Sequence, residues 1–125
     1  MTVLVDTSVL IDYLRGNAAA RDLLEREREH GVLHASEFTR LEVLAGMRGR
    51  EEHATRVLLA TLQWHCVDAE VAERAGELGR QRLPSHQGID GADLVIAATA
   101  DLHGCSLLRT NVRHYPMFPE LTRPY

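Results

Sequence analysis

Short apolar segments, each followed by a residue that favours a helix start, recur along the chain and constrain its fold more than any other feature. Residues 2–5 form a short apolar run rich in β-branched residues, and Asp6 follows it directly. We predict further strands at residues 32–34, 64–67 and 106–109, and Ser36 and Asp68 follow two of them as helix caps. Alternating strands and helices are typical of a mainly parallel sheet between helical layers. We therefore expect an α/β fold, a three-layer α/β/α sandwich that forms one domain over residues 1–125.

The segments between these strands have helical patterns. Residues 18–30 and 51–62 are predicted to form amphipathic helices, the first with Leu23 and Leu24 facing inward. Residues 68–83 form another helical segment, and the predicted element order is β-α-α-β-α-α-β-α-α-β. In the helix predicted over residues 36–47, the apolar stripe is expected to consist of Phe38, Leu41, Leu44 and Ala45.

The helix predicted over residues 89–103 carries two acids in its first turn, Asp90 and Asp93, followed by an uncharged segment. That segment is too short to span a membrane, so we expect it to be buried on most sides. Carboxylates are favourable at a helix amino end but costly in a buried place without a cation. Asp90 and Asp93 are therefore either helix caps or ligands of a metal ion.

Composition excludes some classes of protein. The net charge is −4, so general binding of nucleic acid over the whole surface is not indicated. All 14 basic residues are arginine. We see no secretory leader and no membrane-spanning segment, and Cys66 and Cys105 are widely spaced. We therefore expect a cytoplasmic protein with reduced thiols.

Four acids interrupt otherwise apolar sequence: Asp6, Glu42, Asp90 and Asp93. A carboxylate next to a core is costly unless it is paired, and no buried arginine is evident nearby in the sequence. A divalent cation would compensate all four, and oxygen ligands favour Mg²⁺ or Mn²⁺. Two ions would balance four negative charges, as in two-metal phosphoryl transfer.

Four motifs occur in order along the chain: VDTSVLID (5–12), TRLEVLAG (39–46), ADLVIAATA (92–100) and LRTN (108–111). Together they resemble the PIN-domain ribonucleases of the VapC toxin type, found in bacterial toxin–antitoxin pairs. The likeness covers nearly the whole chain, including the tail at residues 111–118. It implies a PIN-like fold, Mg²⁺-dependent hydrolysis of RNA, with Mn²⁺ as a substitute, and a cognate VapB-type antitoxin. Attack by water, and not by the 2′-hydroxyl, would leave 5′-phosphate and 3′-hydroxyl ends.

By position, the resemblance makes Asp6, Glu42 and Asp93 the acidic residues of the active site. Asn111 stands at the fourth place, which is frequently acidic in the family, and this departure leaves a second metal open. We hypothesise that Asp90 supplies the missing charge, although a capping role is the competing interpretation. Thr7, Ser8 and Thr110 are expected to hydrogen-bond the ligands or their water.

Four arginines near predicted strand or helix ends are candidates for contacts with RNA phosphate: Arg15, Arg48, Arg109 and Arg113. A solvated surface position is the alternative for each. His114 is expected to support the Asn111 loop, with ordinary packing as its alternative.

Two other functions compete with the ribonuclease. One is a catalytically inactive PIN-like module that binds RNA or protein. The other is a phosphohydrolase with Asp6 as covalent nucleophile, but Ser8 stands where that chemistry expects a second Asp. For the ribonuclease, tRNA and rRNA are candidate substrates, and we expect a homodimer or a hetero-oligomer with the antitoxin.

Overall fold

The computed structural model describes residues 2–82 and 91–109, apart from the side chain of residue 82. In these ranges the chain forms four short strands and six helices, in the predicted order. The strands are β1 (Val3–Val5), β2 (His34–Ser36), β3 (Gln63–His65) and β4 (Ser106–Leu108). The helices are α1 (Thr7–Leu14), α2 (Ala18–Arg28), α3 (Glu37–Ala45), α4 (Glu52–Ala60), α5 (Ala69–Arg82) and α6 (Gly91–Leu102), with a 3₁₀ turn at Gly49–Glu51 before α4.

The four strands form one parallel sheet in the order β3-β2-β1-β4. The chain moves outward from β1 to β2 and β3, and then returns to place β4 on the other side of β1. Val5 of β1 is the register partner of Leu108 of β4. The gap between the carboxyl ends of β1 and β4 is therefore the switch point of the topology, where open parallel sheets bind their ligands.

Hydrophobic residues pack on both faces of the sheet. Leu4 and Leu107 belong to one buried cluster together with residues of α5 and α6. Val5 and Ala35 belong to a second cluster with residues of α1, α2, α3 and α4, including the predicted core residues Leu23 and Leu24. Adjacent strand residues point to opposite faces, so three-residue strands suffice to divide the core in two. The predicted three-layer arrangement with a parallel sheet is confirmed.

Two strand boundaries were predicted wrongly. We expected β2 at residues 32–34 and β3 at residues 64–67. The two strands instead span His34–Ser36 and Gln63–His65, the residues that pair with each other in register. Val32 and Val67 are 60% and 43% exposed, although their β-branched side chains suggested strand interiors. Pairing partners, which are distant in sequence, decide these boundaries.

The apolar stripe predicted for α3 was also wrong. Leu41 is 59% exposed and Ala45 is exposed, while Phe38 and Leu44 are half-buried. The fully buried face of α3 carries Thr39 and Val43. The predicted cap is present, because Ser36 Oγ accepts a hydrogen bond from the Phe38 amide at 3.1 Å.

The uncharged segment of α6 is buried as predicted, from Ile96 to Ala100. α6 ends in a Schellman motif around Gly104, whose φ is +63°. The Gly104 amide donates to the Asp101 carbonyl at 3.4 Å, and the Cys105 amide donates to the Ala100 carbonyl at 2.8 Å. Cys66 and Cys105 form no disulfide, and Cys66 is exposed. None of the described helices has the length and apolar character needed to cross a membrane.

Candidate active site

Asp6 lies at the switch point of the sheet. It directly follows β1, and its amide donates to the Leu108 carbonyl at 2.8 Å. Its side chain is only 7% exposed. A carboxylate so little exposed, at the edge where parallel strands end, is the chemical feature that the rest of the site surrounds.

Asp6 also caps α1. Its Oδ2 atom accepts a 2.8 Å hydrogen bond from the Ser8 hydroxyl and a 3.4 Å bond from the Ser8 amide. These two bonds fix the carboxylate on the helix amino end, where its negative charge is favourable. Both of these bonds are accepted by Oδ2. The predicted hydrogen bond from Ser8 to a carboxylate is present.

Thr7, the residue after Asp6, forms a hydrogen bond with Glu42 of α3. Thr7 Oγ1 lies 2.7 Å from Glu42 Oε1 and 3.1 Å from Thr39 Oγ1. A hydroxyl has one proton and an ionised carboxylate only accepts, so Thr7 donates to Glu42 and Thr39 donates to Thr7. Thr7 and Thr39 are both buried, at 8% and 0% exposure. The hydroxyls of Thr39 and Thr7 therefore form a relay, which holds the Glu42 carboxylate beside Thr7.

Thr39 was missed as a residue of this site. The available signal was its position three residues before Glu42, which places both on one side of α3.

Asp93 lies in the first turn of α6 and is half-buried. α6 packs against α3, the helix that carries Glu42, and against β2, a neighbour of β1.

Several other predicted site residues fall outside the described parts of the chain, and their predictions stay as they were. They are Asp90, Thr110, Asn111, Arg113 and His114.

The donor set has the chemistry of a site for a hard cation. Asp6, Glu42 and Asp93 offer carboxylate oxygens, the ligands that Mg²⁺ and Mn²⁺ prefer. Within residues 2–82 and 91–109, however, no three side chains of His, Cys, Asp or Glu stand close enough together to hold one ion. Further donors are therefore needed beside the described acids, and the predicted ones, Asp90 and Asn111, lie outside those ranges.

Arg109 corrects two of our expectations. It follows β4 as Asp6 follows β1, so the two residues leave neighbouring strands at one edge of the sheet. Its side chain is only 1% exposed. The alternative of a solvated surface position is therefore wrong for Arg109, and its contact with RNA phosphate stays a prediction. The premise that no buried arginine accompanies the acids is also wrong. A buried positive charge at this edge of the sheet is one that the charge balance of the site has to include.

Arg15 and Arg48, two other candidates for RNA contacts, are exposed and lie around Glu51. Arg15 Nε lies 3.2 Å from Glu51 Oε2, and the Arg48 amide donates to Glu51 Oε1 at 2.8 Å. The pKa of Glu51 is lowered, first by the hydrogen bond from the Arg48 backbone and then by the charges of Arg15 and Arg48. An RNA phosphate at Arg15 would have to compete with this carboxylate.

The sequence matches the family model of the PIN domain over residues 3–115. It is 44% identical to Ribonuclease VapC19 of Mycobacterium tuberculosis over 123 residues, which are 98% of both chains. It is 41% identical to Ribonuclease VapC10 of the same species, over 98% of this chain and 92% of that one.

Solved structures agree in fold. A toxin–antitoxin complex from Klebsiella pneumoniae contains a chain with a TM-score of 0.84 and 29% identity, over 99% of this chain and 98% of that one. A chain of VapBC2 from Rickettsia felis, bound to a DNA fragment from its promoter, has a TM-score of 0.83 at 18% identity, over 98% and 97% of the two chains. The chain therefore belongs to the PIN-domain family, among the ribonucleases of the VapC type.

Proposed function

We propose that this chain is a Mg²⁺-dependent endoribonuclease toxin that hydrolyses RNA phosphodiesters and is neutralised by a cognate VapB-type antitoxin. The observation that carries the proposal is the buried Asp6 at the switch point, with Glu42 hydrogen-bonded to the adjacent residue Thr7. The relatives at 41–44% identity over nearly the full chain are named ribonucleases. PIN-domain ribonucleases of this type depend on a metal ion.

In this proposal the metal is held by oxygen donors of Asp6, Glu42, Asp93, Asp90 and Asn111 together, because the described acids alone do not bring three ligands within reach of one ion. When bound, a divalent cation acidifies water and neutralises charge that develops on the phosphoryl oxygens. The chain's own contribution is orientation. Ser8 fixes the Asp6 carboxylate and Thr7 fixes that of Glu42, so these two donors need little rearrangement on binding.

The electrostatic balance supports one tightly held ion more than two. Asp6, Glu42 and Asp93 carry three negative charges if they are all ionised, and the buried Arg109 contributes one positive charge. One divalent ion would then leave the four groups neutral. A second ion requires the charge of Asp90, so Asp90→Asn is expected to weaken Mg²⁺ binding without abolishing it.

We further propose a partner and an assembly. The chain of the Klebsiella pneumoniae complex resembles this one along nearly its whole length, and that protein is a toxin–antitoxin complex. We expect an antitoxin from a neighbouring small reading frame to copurify with this chain, and size-exclusion chromatography with light scattering to give a homodimer or a hetero-oligomer. Candidate substrates are tRNA and rRNA.

The test is RNA cleavage by the purified chain, freed of antitoxin, with structured RNAs. Reactions contain Mg²⁺, Mn²⁺ or EDTA, beside an Asp6→Ala variant. Asp22→Asn, a change at an exposed acid on α2, is the matched control. We expect cleavage with either metal that leaves 5′-phosphate ends, no cleavage with EDTA or Asp6→Ala, and full activity for the control.

Each competing function gives a different result in this assay. RNA binding without cleavage by the wild-type chain would indicate the inactive PIN-like module. Release of phosphate from small phosphoesters, without RNA cleavage, would indicate the phosphohydrolase. Cleavage that persists in EDTA would contradict the metal-dependent mechanism.

A further inference from the structure

Three histidines from distant parts of the chain meet on one face of the sheet, away from the acids of the site. They are His34 of β2, His65 of β3 and His103, which directly follows α6. The His34 and His65 rings are stacked, with centroids 5.0 Å apart and an interplanar angle of 15°. The His65 and His103 ring centroids are 4.1 Å apart. We call His34, His65 and His103 the histidine trio.

The trio joins elements that have few other side-chain bonds between them among the described residues. His34 is the register partner of Leu4, so its side chain leaves the sheet on the face covered by α5 and α6. β3 is an edge strand of the described sheet, paired with β2 alone. His103 is held in place by the Schellman motif that ends α6, since its amide donates to the Thr99 carbonyl at 3.1 Å. The central ring of His65 thus bridges β2, β3 and the end of α6.

The contact between His34 and His65 limits how many protons the pair can hold. His34 Nδ1 lies 2.7 Å from His65 Nε2, which is hydrogen-bonding distance. One of these nitrogens must donate and the other must accept, and a protonated imidazole only donates. If both rings were charged, two N–H groups would face each other and the bond would be lost.

The charged groups around the trio do little to relieve this conflict. On α6, Asp101 is engaged with Arg74 of α5 at 2.7 Å. After β2, Glu37 is engaged with Arg40 at 2.6 Å. Burial, followed by the charge of His103, lowers the pKa of His34.

The same two causes, followed by the charge of His34, lower the pKa of His65. Burial raises the pKa of the Cys105 thiol, which lies on the turn after His103. The thiol therefore stays neutral at neutral and mildly acidic pH. The neighbouring imidazoles therefore disfavour protonation of His34 and His65.

We propose that the histidine trio is a proton-sensitive clasp, which fastens β3 and the end of α6 to β2 near neutral pH and loosens in mild acid. The sign follows from linkage. Because the pKa values of His34 and His65 are lower in the folded chain than the ordinary value of about 6.5, the unfolded chain binds more protons in the window below that value. The stability from the clasp is complete at higher pH and is lost as the pH falls through the ordinary value toward the folded pKa values.

The test compares unfolding temperatures of the full chain at pH 7.5 and pH 5.5, with EDTA present so that no metal bridges the rings. His65→Gln removes the central titrating ring but keeps a polar side chain. His30→Gln, at an exposed histidine just after α2, is the matched control. We expect the acid-induced fall in Tm to shrink by at least half in His65→Gln and to stay at the wild-type size in His30→Gln.

A second measurement does not depend on any variant. Histidine ring proton shifts, followed by NMR in the wild-type chain, are expected to show His34 and His65 titrating below the ordinary imidazole pKa of about 6.5. The clasp would be refuted if both rings titrate at or above that value. It would also be refuted if His65→Gln folds and loses as much Tm in acid as the wild type; if that variant does not fold, the NMR titration decides.

Discussion

The hydroxyl relay beneath Glu42 gives the sharpest test of how the site is built. Thr7→Val keeps the shape of the side chain but removes the proton that Thr7 donates to Glu42 at 2.7 Å. It also removes the acceptor of the Thr39 hydroxyl, which is fully buried. We expect this single change to lower both the stability of the fold and the affinity of the site for its metal.

The loss of stability follows from three contributions. A hydrogen bond to a charged group contributes about 1.5–3 kcal/mol, and the low end applies because Glu42 is half-buried. The buried hydroxyl of Thr39, without its acceptor, costs ~1 kcal/mol. The added methyl group of valine returns about 0.8 kcal/mol of burial. The free energy of unfolding should fall by about 2 kcal/mol, which for a chain of this size lowers Tm by roughly 6–8 °C.

The relay also predicts that two substitutions will not add. Thr39→Val in the Thr7→Val background removes the stranded hydroxyl, so it should restore ~1 kcal/mol of the loss. In the wild-type background Thr39→Val brings no such gain, because Thr7 still donates to Glu42. Urea denaturation of the four chains gives the coupling free energy directly.

The effect on the metal is measured by titrating Mg²⁺ in the RNA cleavage assay. Loss of a side chain that orients a ligand weakens metal binding by roughly 10–100-fold, so half-maximal cleavage by Thr7→Val should require at least about ten times more Mg²⁺. Thr7→Ser keeps the hydroxyl and should keep the wild-type dependence. The relay is refuted if the stability losses of the valine variants simply add. If Thr7→Val loses stability but keeps its Mg²⁺ dependence, orientation of Glu42 does not contribute to metal binding.

Two further predictions concern stability and are checked by urea denaturation. The hydroxyl of buried Thr55 has no hydrogen-bond partner among the described residues, so Thr55→Val should raise the free energy of unfolding by about 1 kcal/mol. Thr99→Val is the control and should not raise it, because Thr99 donates to the Val95 carbonyl at 2.8 Å. Equal effects of the two substitutions would contradict the reasoning. Gly104→Ala should lower the free energy of unfolding by about 1–2 kcal/mol, because a side chain is unfavourable at a φ of +63°. No atom lies near enough to clash with the added methyl group, so φ is the only cause of this loss. Gly76→Ala, inside α5 with the same open surroundings, should raise the free energy of unfolding by about 0.5–1 kcal/mol, and a loss at both glycines would show that crowding, not φ, decides.

The order of elements and the anchor of the site were predictable from the sequence because both depend on neighbours in the chain. Asp6 was predicted at the carboxyl end of β1 and Ser36 at the start of α3, and both cap their helices as expected. Caps and periodicity act over a few residues, so local sequence is sufficient to find them. The hydrogen bond from Ser8 to the Asp6 carboxylate follows from the same local arrangement.

Strand boundaries and exposure were less predictable. Val32 and Leu41 were placed in the interior by their side chains, yet both are more than half exposed. An apolar side chain is buried only where another element covers it, and the sequence does not say which face of α3 meets the sheet. The buried face of α3 instead carries Thr39, whose polar group is satisfied by Thr7.

The sequence by itself determined the α/β order, the position of Asp6 after β1 and the membership of the PIN-domain family. Only the tertiary structure decided that Arg109 is buried beside the end of β1, that Thr39 supports Glu42 through Thr7, and that three histidines meet. Each of these facts joins residues more than 30 positions apart, such as Thr7 and Thr39 or His34 and His65. The cost of burying a charge or stacking imidazoles depends on which groups lie nearby in space, and strand pairing together with helix packing fixes that.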